Sequence, residues 1–444
     1  MAEILINPAT IHLETLGCKV NQYESEAIHG GLTNTAWFNA TADTHPDLVI
    51  INTCSVTKKA AMQSRQMIRR AIRNHPTAII IATGCLAQTE PRELAQIEGI
   101  DYIIGNADKT RLPEFFRNGP PVKNTEPVII RADISVRRFF DDSGFPETGT
   151  RSRPFIKIQD GCDQFCTYCI VPHARGPSRS RPMQRIADEI KNFSKKGRHE
   201  VVLTGIHIGR WGLDLSPETN LHRLLTHIHQ NNLIQRVRLS SIEPLEVTDA
   251  LLSFAADSEH LCAHWHIPLQ SGDNAVLKKM NRPYSSEVFS DRVRRIRSLI
   301  PQAAIGTDVM VGFPGETDDA FERTAALLES LPVTYLHVFP FSRREPAPAA
   351  RFPDQVSLEK IKHRATVLNR LGLRKKAAFY DKMIGETVNV VLESRRDMSS
   401  GRLTGVSENY IRVMIGGGDG LKNRMVRCRI TARISPHTVS AELI

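Results

Sequence analysis

Long apolar runs are missing from this 444-residue sequence: none approaches the roughly 18 residues of a membrane-spanning helix. Residues 1–8 lack the basic start and extended apolar stretch of a secretory signal, so a cytosolic location is expected. There is no low-complexity tract and no internal repeat, which excludes solenoid architectures. Cysteine is sparse as well. Eight cysteines in so long a chain do not make the disulfide framework of a small secreted domain, so reduced thiols with a metal or catalytic role are expected. Acidic residues are in deficit, 48 Asp and Glu against 58 Lys and Arg, for a net charge of +10. Lys and Arg that neutralise phosphates gain affinity by counterion release, so nucleic acid is a candidate partner. An ordinary basic surface with no specific partner fits the charge equally well.

What is present fits a globular protein of about three domains at about 150 residues each. Strand-like runs at Ile11–Leu16, Asp47–Ile51 and Ala78–Ala82 alternate with helical segments such as Lys58–Arg73, which predicts a parallel α/β domain over residues 9–118. A Pro-, Gly- and charge-rich linker is expected over 119–150, marked by Pro120-Pro121 and Gly144-Phe145-Pro146, with Val128–Ile130 as a possible extra strand. Six strand-like runs then alternate with helical ones: Phe155–Ile158, Glu200–Thr204, Val237–Leu239, Trp265–Leu269, Ile305–Val311 and Tyr335–Phe339. They predict a partial (β/α)6 barrel within residues 151–381, with a helix over Leu358–Lys382 that carries the chain off it. Short strands and glycine turns over 382–444 predict a small β-barrel, mildly basic, with Arg424, Arg427 and Arg429 close together.

Six of the cysteines form two sets. Cys18, Cys54 and Cys85 each follow one of the first three strand runs, and the carboxyl ends of parallel strands lie on one edge, where ligands bind. Taken singly, each also reads as a buried apolar thiol. Cys162, Cys166 and Cys169 form a Cys-x-x-x-Cys-x-x-Cys loop after the first barrel strand, at the mouth where barrels place their chemistry. Three thiolates on a four-iron cluster leave one iron open, whereas electron-carrying clusters normally use four. A zinc site is the alternative for this loop, with His173 as the nearby fourth ligand. Cys262 and Cys428 match neither pattern and are expected in packing.

The second loop, with Tyr168 before its last cysteine, resembles the signature of the radical S-adenosylmethionine superfamily. Resemblance implies that the open iron binds the amino and carboxylate groups of S-adenosylmethionine, whose reductive cleavage yields a 5′-deoxyadenosyl radical. The segments 16–22, 51–57 and 82–88 around the first three cysteines are similar to those of the methylthiotransferase family. So are Ser240-Ser241-Ile242-Glu243-Pro244, His266-Ile267-Pro268-Leu269-Gln270-Ser271-Gly272 and the stretch from Thr307 to Thr317. The likeness runs almost end to end. It implies two [4Fe-4S] clusters, the N-terminal one delivering sulfur, and a C-terminal TRAM domain that binds RNA. Gly-Cys-Lys-Val-Asn-Gln around Cys18 looks like the branch that acts on N6-threonylcarbamoyladenosine at position 37 of tRNA, in the anticodon stem-loop. The segment Arg343–Ala349 departs from the Gly-Thr-Pro-Ala usual there.

The implied activity is insertion of a methylthio group at C2 of that adenine. This carbon carries only hydrogen, so hydrolytic or nucleophilic schemes do not serve and cofactor-borne radical chemistry is required. Remaining alternatives are the same chemistry on isopentenyladenosine or on a ribosomal-protein side chain, and a non-catalytic RNA-binding iron–sulfur protein. Thr204, Gly205, Ser241, Glu243, Gln270 and Asp308, at or after barrel-strand ends, are candidate cofactor contacts together with Tyr168; each equally suits a local turn or a barrel-core polar group. Arg175, Arg179 and Arg181 are candidates to guide RNA phosphate toward the mouth, with an ordinary solvated loop as the alternative.

Overall fold

The computed structural model describes residues 9–34, 37–40, 45–117, 122–142 and 151–444. The turns at Pro120-Pro121 and Gly144-Phe145-Pro146 lie outside them. Among the described residues no helix is long and apolar enough to cross a membrane.

The N-terminal sheet is wholly parallel. Its central strands Leu48–Thr53 and Ile79–Gly84 are buried along their full length, as a sheet covered by helices on both faces requires. Ala9–Thr15 and the short Trp37–Asn39 extend one side, and Tyr102–Ile104 and Val128–Ile130 the other. Val128–Ile130 is therefore the edge strand of this sheet, and part of the expected linker is structural: Arg131 donates to the Gln88 carbonyl at 2.7 Å and Arg137 to that of Ala107 at 2.7 Å. Two of the three strand runs reach further than their apolar residues foretold. Leu48–Thr53 stops directly before Cys54, and Ile79–Gly84 directly before Cys85.

Six parallel strands follow in chain order as two three-stranded sheets: Phe155–Lys157, Glu200–Thr204 and Arg236–Leu239, then His264–His266, Ala304–Val311 and Tyr335–Pro340. A parallel bridge between Val237 and Leu261 links the two sheets into an open barrel. Outward residues such as Leu203, Val237, Trp265, Ile305 and Val309 join one apolar core with the surrounding helices. Several inward positions are polar, among them Glu200, Arg238, His264, His266 and Asp308, beside the apolar Phe155 and Val202. The helix Leu358–Lys382, capped by Ser357, leads to a closed five-stranded barrel over Thr387–Leu443. Arg236 and Arg238 hold this barrel by donating to the carbonyls of Asn389, Val406, Ser407 and Glu408.

Candidate functional site

Two glycines explain how the first three cysteines come together. Gly17 has φ +107°, and a Cβ there would lie 3.0 Å from Cys54 Cβ, so the first loop can close on the second only without a side chain. Gly84, at φ +94°, turns the chain into the short helix Cys85–Thr89, and a Cβ would strike the Thr53 carbonyl at 2.5 Å. Side chains complete the assembly. Asn21 donates to the carbonyls of Leu16 (2.8 Å) and Thr53 (3.0 Å), and Asn52 to that of Asn21 (3.0 Å). The Cys54 backbone N–H donates to Ser64 at 3.0 Å, and Asn106 donates to Cys85 Sγ at 3.6 Å. Burial, then the neighbouring Cys85, push the Cys54 thiol up to about 11, with Cys18 adding to the repulsion.

The second set sits in a loop pinned on both sides. The Cys162 N–H donates to the Gly176 carbonyl (3.0 Å), and the Thr167 N–H to that of Met280 (3.1 Å). Donors surround the sulfurs. Arg282 Nη1 reaches Cys166 Sγ at 3.1 Å, His207 Nδ1 lies 3.7 Å from Cys162 Sγ, and the N–H groups of Gln164 and Val171 point at Cys162 and Cys169 at 3.4 Å each. Burial and then Cys166 push the Cys169 thiol up to about 12. Tyr168 packs against the apolar cluster of Val276, Met280, Phe313, Ala320 and Ala349.

A buried ionic seam joins the two sets. Glu24, on the helix Lys19–Thr33, meets Lys109, Lys157 (2.6 Å) and Arg175 (2.9 Å), and Asp160 meets Lys157 (2.7 Å), Arg175 (2.9 Å) and Arg179 (3.4 Å). Burial alone would raise the Glu24 pKa, yet Arg175, Lys109 and Lys157 outweigh it and hold the carboxyl well below the usual range. Arg175 also donates to Asn21 Oδ1 at 2.5 Å, and Asn106, beside Cys85, donates to the Ala174 carbonyl at 2.8 Å. Between the helix opening at Cys85 and the second loop lies a cleft of about 480 Å³ lined in part by Gln88, Phe165 and His173.

This corrects one expectation. Arg175, Arg179 and Arg181 are 2%, 3% and 0% exposed, so they do not offer themselves to RNA phosphate. They are structural cations of the seam, Arg181 pairing with Glu189 and with Asp142 (2.9 Å). Sequence alone shows three arginines in a loop; the carboxylates that consume them stand at positions 24, 142, 160 and 189, with no local spacing to reveal them.

The other predicted contacts are spread over the barrel's strand ends and lumen. Thr204 is buried and its carbonyl accepts from the Ile158 N–H at 2.9 Å, with Gly205 next to it. Ser241 is exposed. Glu243 pairs with Arg282, the residue that reaches Cys166, so it stands one side chain away from a thiol. Gln270 takes a left-handed backbone, φ +65°, bonded to Asp308 and Met310 of the next strand. Asp308 Oδ1 lies 2.8 Å from His266 Nε2 and 3.3 Å from His337 Nδ1. Among the described residues this trio is the compact His, Cys, Asp or Glu group with single-ion spacing; His173 and the three loop cysteines do not form one. His173 instead packs edge-on against Phe165 at 6.5 Å between centroids. Cys262 and Cys428 are buried. The divergent segment 343–349 is tied in by Arg344, which pairs with Glu90 of the N-terminal sheet domain. Arg282, His207 and Asn106 escaped sequence reasoning because each lies at no fixed spacing from the cysteine it serves.

The donor chemistry fits iron–sulfur clusters. Thiols that oppose one another's ionisation are relieved by a cationic metal core, and N–H donors to the sulfurs are the contacts that tune such clusters. Three soft ligands per set, with no fourth cysteine, would leave one metal position open on a bound four-iron cluster. A polar-lined open (β/α)6 barrel with such a loop at its mouth defines a radical S-adenosylmethionine enzyme. Residues 156–328 match the Radical SAM superfamily and residues 10–105 the family described as Uncharacterized protein family UPF0004. The fold is shared with the radical S-adenosylmethionine methyltransferase TsrM of Kitasatospora setae (TM-score 0.55, 16% identity, covering 88% of this chain and 79% of that one). Among curated relatives, the threonylcarbamoyladenosine tRNA methylthiotransferase MtaB of Bacillus subtilis is 35% identical, over 95% of this chain and 94% of its own. That of Chlamydia pneumoniae is 38% identical, over 86% and 87%. The tRNA-2-methylthio-N(6)-dimethylallyladenosine synthase of Pelotomaculum thermopropionicum is 32% identical, over 95% of each chain. The chain belongs to the tRNA methylthiotransferase family of radical S-adenosylmethionine enzymes, whose cofactors are S-adenosylmethionine and [4Fe-4S] clusters.

Proposed function

We propose that this protein is a tRNA methylthiotransferase that inserts a methylthio group at C2 of N6-threonylcarbamoyladenosine at position 37, in the anticodon stem-loop. In this reading Cys162, Cys166 and Cys169 hold the cluster that binds S-adenosylmethionine, and Cys18, Cys54 and Cys85 hold a second cluster. It acts in the cytoplasm, with its tRNA. The observation that carries it is the seam: one residue, Arg175, bonds both the Asn21 that ties the first thiol set together and the Asp160 that precedes the second.

When bound, the clusters and S-adenosylmethionine supply the radical and the sulfur. The chain's own residues fix their setting. Arg282 places a cation on Cys166, and Glu243 balances it. Glu24 locks the two domains at one separation through Lys157 and Arg175, and Asp160 holds those two cations in place. Thr204, Gly205, Ser241, Gln270 and Asp308 stand at the strand ends and lumen where the cofactor's ribose and amino-acid groups would be oriented. Anticodon-loop bases leave their stacks readily, which suits an enzyme that must reach a base carbon. The closed C-terminal barrel grips the RNA: Arg427 and Arg429, two apart on one strand, share its exposed face.

Mass spectrometry of tRNA nucleosides tests the reading. Cells lacking the protein lose 2-methylthio-N6-threonylcarbamoyladenosine and retain its precursor, wild-type protein restores the product, and Cys54→Ala or Cys166→Ala does not. An unchanged nucleoside profile in the deletion strain removes this function.

A further inference from the structure

A cavity of about 550 Å³, large enough for a nucleoside, opens where all three parts of the molecule meet. Lys19 comes from the N-terminal domain, Arg153 and Arg238 from the barrel, and Glu393, Arg395 and Tyr410 from the C-terminal barrel. Its charge is lopsided. Arg238 is committed to Glu200 (2.8 Å), and Arg153 approaches Glu393 (3.4 Å) and Glu200 (4.0 Å). Lys19, half-buried and next to Cys18, has no ion-pair or hydrogen-bond partner among the described residues, and neither has the exposed Arg395. Tyr410 stacks on His264 at 4.2 Å between centroids and so forms an aromatic wall on the barrel lumen.

We propose that Lys19 and Arg153 bind the carboxylate of the threonylcarbamoyl substituent and thereby select this base over adenosines with uncharged N6 groups. The inference rests on the function proposed above and names how that substrate is read. A half-buried ammonium without a counter-charge is costly, and a ligand that brings an anion removes the cost. Backbone phosphates are the competing anions, but an extruded base carries its own substituent inward while its phosphates stay at the rim. Lys19 lies inside, one residue from a thiol of the first set, whereas Arg395 lies at the surface. An apolar dimethylallyl group would leave the ammonium unpaired, so the same cavity disfavours it.

The test uses the holoenzyme and three anticodon stem-loops: one with N6-threonylcarbamoyladenosine, one with its methyl ester, which keeps the shape and removes the charge, and one with unmodified adenosine. Wild-type protein should bind the acid about 10- to 100-fold more tightly than the ester, the scale of a charge-assisted hydrogen bond. Lys19→Met should abolish most of that gap without weakening the ester or the unmodified loop. Arg153→Met, nine residues from the nearest cysteine where Lys19 adjoins one, is the second variant and should narrow the gap with full iron content retained. Equal weakening of all three stem-loops by both variants overturns the proposal and assigns the cavity to backbone phosphate. Equal wild-type affinity for acid and ester overturns it too. If instead no methylthio product forms on the acid stem-loop while binding discriminates, it is the proposed reaction that fails.

Discussion

Arg175 Nη2 donates to Asn21 Oδ1 at 2.5 Å, so the residue six positions after Cys169 fixes the amide that staples the loops of Cys18 and Cys54. The same guanidinium contacts Glu24 and Asp160 inside the domain seam. Removing it strands two buried carboxylates on the remaining Lys109, Lys157 and Arg179. Breaking a buried ion pair costs about 3–5 kcal/mol. Arg175→Met should lose stability of that order in urea unfolding, and purified protein should lose iron. A change below about 1 kcal/mol with full iron would refute the role given to the seam.

Gly84 makes a sharper prediction about the first thiol set. Its φ of +94° strains any L side chain, and a Cβ there would press on the backbone of Thr53. Gly84→Ala should cost about 3 kcal/mol or more, backbone strain plus displacement, and shift Cys85 away from Cys54. Gly197, at φ +73° with nothing within 4 Å of an added Cβ, isolates the conformational part; Gly197→Ala should cost only about 1–2 kcal/mol. Iron analysis separates them further. The Gly84 variant should fall toward half the wild-type iron, and the Gly197 variant should not change.

Arg282 brings a positive charge to 3.1 Å from Cys166 Sγ in a buried setting. Hydrogen bonds and net charge around a cluster's sulfurs set its reduction potential. Arg282→Gln should therefore lower the potential of the cluster in the barrel by roughly 60 mV or more, tenfold in a one-electron equilibrium. Electron paramagnetic resonance during a redox titration reads this directly. The reduced signal should persist, at a more negative potential, since the three cysteines are untouched.

Much of this architecture was legible in the sequence, because it is written in local patterns. Short continuous apolar runs gave the parallel strands, and three cysteines after three such runs could meet only at the strands' carboxyl ends. Val128–Ile130 shows the limit. Its neighbours 119–127 and 131–150 are rich in Pro, Gly and charge, and only pairing with Tyr102–Ile104, 26 residues earlier, makes it an edge strand. The arginines 175, 179 and 181 show a second limit. A basic loop looks the same whether it faces water or buried carboxylates, and the partners here come from four separate segments. Arg282 and His207 were hidden for the same reason: the barrel, not the chain, brings them to the thiols.

Glu200 organises the attachment of the C-terminal barrel, and its titration gives that attachment a pH dependence. Burial would raise its pKa, but Arg236, Arg238 and Arg153 bring it down to about 2, from an ordinary value of 4.5. A depressed carboxylate contributes stability that is fully present above pH 4.5 and is lost as pH falls toward 2. Arg236 and Arg238 spend their other hydrogen bonds on the carbonyls of Asn389, Val406, Ser407 and Glu408, so a neutral Glu200 removes the carboxylate that these two interface cations share. Glu200→Gln should cost about 3–5 kcal/mol at pH 7. The difference from wild type should shrink progressively between pH 4.5 and 2, because acid does to wild type what the substitution does at any pH. Hydrogen exchange should locate the loss at the inward faces of Thr387–Arg396 and Leu403–Ser407, where the barrels meet. A pH-independent gap would mean that the carboxylate's charge does not hold the two barrels together.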